Sequence, residues 1–416
     1  MKAVLRNIKG TKDILSDETS VWLYLENYIH NFFQKFGYKE IRTPSFESTE
    51  LFLRSIGNDT DIVSKEMYSW IDQGNKNLTL RPELTAPVVR SFIQHQLGKQ
   101  AKSHKLYYLG SLYRRERPQK GRFRQFNQFG IEAFGSQFPE QDAEIISIAY
   151  QLYNSLNIKD LELKINSIGS KESRIKYKQE LQKYLLQYKN KLTETSKKRL
   201  TQNPLRILDT KIDFEIDIIK NAPKIFDFLD NEDKQHFQKV LNILESMKIP
   251  YVLDDYLVRG LDYYSRTVFE IQSNSIGSQR ALCGGGRYDY LVQELGGDNT
   301  PAIGFAAGFE RLIMAMNINQ ESIFKSPDIY IIAMGENAIK FSFNTANELR
   351  SKKDLIVITD TLRRSLKSQM KDANRLKVKF AIIIGDNELS DNTVSIKNMS
   401  TGKQKNIPID GIVNYF

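Results

Sequence analysis

Apolar and polar positions recur along this chain with two different periods. From 21 to 36, apolar and aromatic residues return at helical spacing (Val21, Leu25, Tyr28, Ile29, Phe32, Phe33), which predicts an amphipathic helix stopped by Gly37. A strand is predicted over 39–43, ending at Pro44. A second helix is predicted from Thr85, read as its N-cap, with Pro87 in the first turn where a missing N–H costs little. Segments 106–116 and 122–134 read as strands joined by a short loop that Pro118 and Gly121 punctuate. Residues 140–156 return to helical spacing. From 171 to 247 the spacing stays helical (Ile175, Leu181, Leu185, Leu186). This block reads as an insertion, because strand-like, glycine-rich sequence resumes at Tyr251. Near Lys325-Ser-Pro327 the pattern changes again. Short apolar strands at 329–334, 356–359, 380–385 and 393–398 alternate with helices at 337–352 and 364–376, an α/β module of about 90 residues.

The length of 416 residues suggests about two to three domains. Lys and Arg number 60 against 50 Asp and Glu, a formal charge of +10, which favours a polyanionic partner without naming it. The basic excess is strongest from 171 to 200, with 10 Lys/Arg against 3 Asp/Glu. It is mild over 326–416, with 14 against 10. One cysteine, Cys283, excludes an intrachain disulfide framework and a thiolate zinc cluster. The four histidines lie at no metal-ligand spacing. The apolar run 329–334 is far too short to span a bilayer, and the N-terminal stretch lacks the apolar core of a secretory signal.

The densest chemistry lies in the predicted hairpin. Between Tyr113 and Glu132 it gathers five arginines and a lysine. Planar guanidinium forks suit phosphates, although a solvated edge hairpin laced with ion pairs would have the same composition. Alternation puts Gln128, Gly130 and Glu132 on one face and Phe129, Ile131 and Ala133 on the other. A gap at glycine, flanked by an amide and a carboxylate, suits a ligand with N–H donors. Glu83 stands just before the second helix, where a carboxylate binds an ammonium or caps the helix. Arg259 precedes Gly260 and the pair Tyr263 and Tyr264. In a strand these tyrosines face opposite ways, so only one need line a pocket. The glycines 284–286 permit close backbone approach or mark a bulge, and Cys283 beside them reads as a small packed hydrophobe. Segment 300–312 reads as strand, turn and helix, with Glu310 and Arg311 near the positive end of the helix. Neither a P-loop nor a G-x-G-x-x-G motif occurs, so any nucleotide site must be built from arginines.

In this order the segments resemble the histidyl-tRNA synthetases, class II aminoacyl-tRNA synthetases. The resemblance runs from Lys9-Gly-Thr-Lys-Asp13 to the C-terminal module. Residues 36–51, the arginine hairpin and 302–312 resemble the three class motifs. Leu257-Val-Arg-Gly-Leu-Asp-Tyr-Tyr264 and Gly284-Gly-Gly-Arg-Tyr-Asp289 resemble segments specific to the histidine enzymes. The resemblance implies an α+β fold: an antiparallel-sheet catalytic domain over 1–325, interrupted by a helical insertion at about 171–250, then an α/β anticodon-binding domain over 326–416.

It also implies a reaction. L-histidine is activated by ATP with release of pyrophosphate, then transferred to the 3′ end of tRNA(His). Arg259 and Arg114 would be the catalytic arginines at the carboxylate and α-phosphate. Arg122 and Arg311, with Glu116, would serve the rest of ATP. Glu83, Thr85 and Gln128 would bind the amino and carboxylate end of histidine, and Glu132, Tyr263, Tyr264 and Tyr288 its side chain. Magnesium is implied, its ligands left open between Glu116 and Glu310. A homodimer in the cytoplasm, with no membrane partner, is implied as well. Leu84 and Ser265 depart from the residues common at those places without disturbing the polar groups. The competing reading is a catalytically silent paralogue that regulates ATP phosphoribosyltransferase. It is disfavoured because such paralogues typically lose activating residues and lack the C-terminal module.

Overall fold

Long-range strand pairing builds the floor of the first unit. The computed structural model describes residues 5–57, 60–119, 121–277, 280–316 and 326–416. The chain separates into two compact units, Met1–Asn319 and Gln320–Phe416. The expected change of character at Lys325-Ser-Pro327 begins outside the described residues.

The first unit carries an eight-stranded sheet in the order Lys39–Glu40, His104–Tyr113, Gln125–Phe134, Ala302–Gly308, Ala281–Arg287, Ser265–Ser273, Leu161–Ser167 and Val252–Leu253. All neighbours are antiparallel except the short edge strands at either end, which pair in parallel. A separate three-stranded sheet joins Phe46–Ser48, Asn77–Leu80 and Tyr68–Ile71. The predicted strand at 39–43 therefore shrinks to its first two residues, as the chain turns at Pro44. The first helix spans Ser16–Gln34 and starts earlier than its apolar spacing suggested. The hairpin strands also end short of the arginines, at Tyr113 and Gln125, so the basic residues form a loop.

Helix Pro139–Ser155 packs on the sheet and contributes Asp142, a fully buried carboxylate. Asp142 meets Arg287, His236 Nε2 at 2.8 Å and Thr267 Oγ1 at 2.6 Å. Burial alone would raise its carboxyl, but Arg287 and His236 outweigh burial and hold it below the usual range. The network ties strand Ala281–Arg287 to helix Asn231–Ser246 of the insertion.

The insertion is helical, with its main helices at Lys171–Leu186, Glu194–Gln202, Asp213–Ile219 and Asn231–Ser246. Ser170, Thr193 and Asp230 cap three of them with side-chain oxygens. Its apolar residues Tyr177, Leu181, Leu185 and Leu200 share one buried cluster with Tyr263, Tyr264 and Tyr288. The insertion thus packs as part of the first unit's core.

The second unit is a five-stranded sheet in the order Val357–Thr359, Ile329–Met334, Phe380–Gly385, Thr393–Asn398 and Gln404–Pro408. Three strands are parallel and the last two antiparallel, with helices Glu336–Lys353 and Leu366–Arg375 alongside. The fifth strand is absent from the sequence expectation. It is an edge strand with four of its five residues exposed, so it carries no apolar alternation.

Candidate active site

The site lies where the central strands meet three loops. A cavity of about 270 Å³ opens between them. On one side the arginine loop supplies Arg114 and Arg122, together with Glu116. Arg114 Nε donates to the Pro82 carbonyl at 2.8 Å, and its guanidinium lies 5.3 Å from the Phe126 ring centre. Glu116 stands between the two arginines, 3.3 Å from Arg122 Nη1 and 3.8 Å from Arg114 Nη1. Its Oε2 atom is buried without a hydrogen bond.

Strand Ala302–Gly308 runs straight into helix Phe309–Met316, with no intervening turn, and places Glu310 and Arg311 in the first helical turn at the cavity wall. Arg311 Nη1 donates to the Ala281 carbonyl at 3.0 Å. Burial, and after it the like charge of Arg122, holds its guanidinium below its ordinary pKa. Three cationic groups so gathered, with Glu116 between two of them, suit an anionic ligand. Glu310 accepts from the Asn127 backbone N–H at 2.9 Å and from Asn127 Nδ2 at 3.0 Å, and burial raises its carboxyl. It ties the helix to strand Gln125–Phe134.

Arg259 enters from the opposite side. Its Nη1 lies 2.6 Å from Glu270 Oε2 on strand Ser265–Ser273. Burial opposes the charge, but Glu270 outweighs burial and raises the pKa. The guanidinium lies across Gly284, where a Cβ would collide with it. Here glycine makes room for the Arg259 guanidinium, and the strand register is irregular between Ala281 and Cys283 and between Gly286 and Arg287, so close approach and a bulge occur together. Tyr263 and Tyr264 sit in a turn rather than a strand, so both line the cavity, with ring centres 4.7 Å apart. The sequence expectation of a single lining tyrosine rested on strand geometry that this segment lacks.

Glu83, Thr85 and Gln128 line the same cavity. The helix there begins at Thr85 with Leu84 in the N-cap position, and the first free amides are taken by Glu83 just before it, which accepts the N–H groups of Thr85 at 2.7 Å and Ala86 at 2.8 Å. Thr85 is therefore not the N-cap, and its hydroxyl points instead to Glu132 Oε1 at 2.8 Å. Burial raises the Glu83 carboxyl against the pull of those amides.

Glu132 and Tyr288 lie just beyond the lining. Glu132 is 1% exposed and accepts from Thr85, from Tyr108 at 3.2 Å and from the Tyr288 hydroxyl. Burial pushes its carboxyl up to about 8, against the three hydroxyl donors. Tyr288 also meets Tyr263 edge-on at 5.7 Å. The gap foreseen at Gly130 is not free for a ligand. A Cβ there would meet the Phe305 carbonyl and the Tyr108 side chain.

Sequence reasoning missed Tyr108, Glu270 and Asp142. Tyr108 is the register partner of Gly130, a large residue opposite a small one, and that pairing was its only signal. Cys283 lines the cavity with its thiol pushed up to about 12 by burial, which disfavours the thiolate. Among the described residues no cluster of three or more His, Cys, Asp or Glu could hold a metal unaided. Glu116, whose Oε2 has an ion-pair partner in Arg122 but no hydrogen bond, and Glu310, held by Asn127, are the carboxylates at this end of the cavity that fit a divalent ion whose remaining ligands come from phosphates.

Residues 10–312 match the family model described as Histidyl-tRNA synthetase, and residues 328–416 match that described as Anticodon binding domain. A histidine–tRNA ligase of Caldanaerobacter subterraneus is 45% identical over 406 residues, covering 97% of each chain. The crystal structure of apo histidyl-tRNA synthetase from Staphylococcus aureus superposes with a TM-score of 0.84 at 39% identity, covering 99% of this chain and 100% of that one. A Bacillus halodurans structure, described as an ATP phosphoribosyltransferase regulatory subunit/histidyl-tRNA synthetase, reaches a TM-score of 0.68 at 21% identity. It covers 92% of this chain and 99% of its own, and shares the fold.

Proposed function

The chain belongs to the histidyl-tRNA synthetase family and has the activity of a histidine–tRNA ligase, and from that premise we propose how its residues divide the work. Activation brings the histidine carboxylate against the α-phosphate of ATP. Two anions approach only when cations screen them. Arg259 screens the carboxylate and α-phosphate from one wall of the cavity and Arg114 the α-phosphate from the other. Arg122 and Arg311 hold the outer phosphates, so pyrophosphate leaves from a fixed orientation. A magnesium ion carried with ATP would be held by Glu116 and Glu310, and supplies further charge neutralisation.

Histidine is held by groups of two kinds. Gln128 and the Glu83–Thr85 turn take the amino and carboxylate end. Tyr263 and Tyr264 enclose the imidazole, with Glu132 and Tyr288 behind them as its polar partners. An analogue without ring N–H groups would leave a buried carboxylate unpaired, which supports selectivity. The second step passes histidine to the 3′ end of tRNA(His). The C-terminal unit reads the anticodon and the basic insertion meets the acceptor arm. The chain works as a homodimer through residues 36–51, in the cytoplasm, with no membrane partner. Among the described residues no helix is long and apolar enough to cross a membrane.

One observation carries this assignment of roles: four arginines, three carboxylates and two tyrosines converge on a single cavity. ATP–pyrophosphate exchange without tRNA, run against each standard amino acid in turn, tests it. Exchange with histidine alone is expected. Absence of exchange from folded protein with magnesium present overturns it. The regulatory-paralogue reading is not favoured, since Arg114, Arg122, Arg259 and Arg311 are all present at the cavity and the chain carries the anticodon-binding module.

A further inference from the structure

The segment from 257 to 264 carries Arg259, Tyr263 and Tyr264, yet it belongs to no helix or strand. What fixes it comes largely from the helical insertion. Asp262 Oδ1 accepts from Asn203 Nδ2 at 2.9 Å and from Arg206 Nη2 at 3.1 Å. Arg174 of helix Lys171–Leu186 donates through Nη1 to the Tyr264 carbonyl at 2.5 Å and reaches the Asp262 carbonyl at 3.4 Å. On its other side Asp262 donates its backbone N–H to the Ile56 carbonyl at 3.4 Å. A Cβ at Gly57 would come within 2.6 Å of the Asp262 carboxylate, so the side chain occupies a crowded slot.

These contacts join two parts of the chain with different tasks. These hydrogen bonds of Asn203, Arg206 and Arg174 go to the loop and not to the residues assigned to ATP. They grip the backbone and one side chain of the loop that presents Arg259 and the tyrosines. A carboxylate held by both an amide and a guanidinium is fixed in direction as well as distance. Reacting groups misplaced by about 1 Å lose catalysis steeply. Both the imidazole enclosure and the arginine at the reacting carboxylate therefore depend on where the insertion holds this loop.

We propose that Asp262 is a positioning residue through which the helical insertion sets the geometry of the histidine pocket. The proposal rests on the reading of Tyr264 as a pocket residue. It makes histidine affinity a property that the insertion's contacts set.

The test is ATP–pyrophosphate exchange on the full chain without tRNA. Asp262→Ala is expected to raise the histidine KM by about tenfold, equivalent to roughly 1.4 kcal/mol, with the ATP KM unchanged. Loss of folded enzyme would instead lower the titrated active-site concentration and leave both KM values alone. Asp262→Asn keeps an acceptor oxygen and is expected to restore most of the affinity. The double variant Asn203→Ala with Arg206→Met changes only the insertion, and is expected to reproduce the Asp262→Ala effect. An unchanged histidine KM in Asp262→Ala, or in the double variant, overturns the proposal. Tyr264→Phe is the reference. If it leaves the histidine KM unchanged, the pocket reading fails on its own account. If it raises KM while Asp262→Ala does not, only the positioning role fails.

Discussion

The Tyr288 hydroxyl donates to the Glu132 carboxylate from the strand Ala281–Arg287 side, while Thr85 donates to the same carboxylate from the helix that borders the cavity. Glu132 thus joins two walls of the site. Its raised pKa, about 8, gives the pair a measurable signature. Below the ordinary carboxyl pKa of 4.5 the group is protonated in both folded and unfolded chains. As pH rises toward 8 the unfolded chain ionises first, so burial of Glu132 costs increasing stability. Glu132→Gln should melt together with the parent at pH 5 and above it at pH 8.5, by about 2 °C or more. Equal melting temperatures at both pH values would remove the buried-carboxyl assignment. The same variant should weaken histidine activation by about a hundredfold.

Arg259→His should fold normally and depress adenylate formation by about a hundredfold or more, as expected for loss of a preorganised charge at the reacting centre. Pyrophosphate exchange at saturating histidine and ATP measures it. Near-normal turnover would take this residue out of the chemistry.

Gly130 sits opposite Tyr108 and beneath the Phe305 carbonyl. Gly130→Ala should destabilise the first unit by about 1–3 kcal/mol, as overpacking against backbone does, seen as a lowered denaturant midpoint. A midpoint equal to that of the parent would show that the strands can part at no cost.

Removal of residues 326–416 should leave histidine-dependent pyrophosphate exchange largely intact and weaken tRNA charging. Each unit has its own buried core, so the truncated chain is expected to fold. If charging and exchange fall by the same factor, the division of labour between the units is wrong.

Much of this was legible in the residues themselves. The predicted strand from Gln128 to Ala133 is observed, though buried on both faces from Phe129 on, and two of the hairpin's five arginines, Arg114 and Arg122, reach the cavity. The α/β character of the last 90 or so residues was visible in four of its five strands. Other features depend on partners distant in sequence, which no local period reports. Glu83 looked equally suited to an ammonium or a helix cap, and only the fold shows its oxygens on the Thr85 and Ala86 amides. Tyr263 and Tyr264 read as strand residues because aromatic alternation and a turn held by outside contacts look alike over two positions. Asp142 was silent because its significance lies in Arg287 and His236, 145 and 94 residues away.

The middle of the large sheet is a seam between Gln125–Phe134 and Ala302–Gly308. The residues around the cavity come from both sides of that seam, Arg114 and Gln128 from the earlier stretch, Arg259 and Arg311 from the later. During synthesis the earlier hairpin emerges long before its partner strand, and its inner edge stays unpaired until residue 308 has been made. No nascent chain that stops short of Arg311 contains a complete pocket. For this architecture substrate binding is acquired late and all at once, and the exposed hairpin edge is where a stalled or truncated product would pair wrongly.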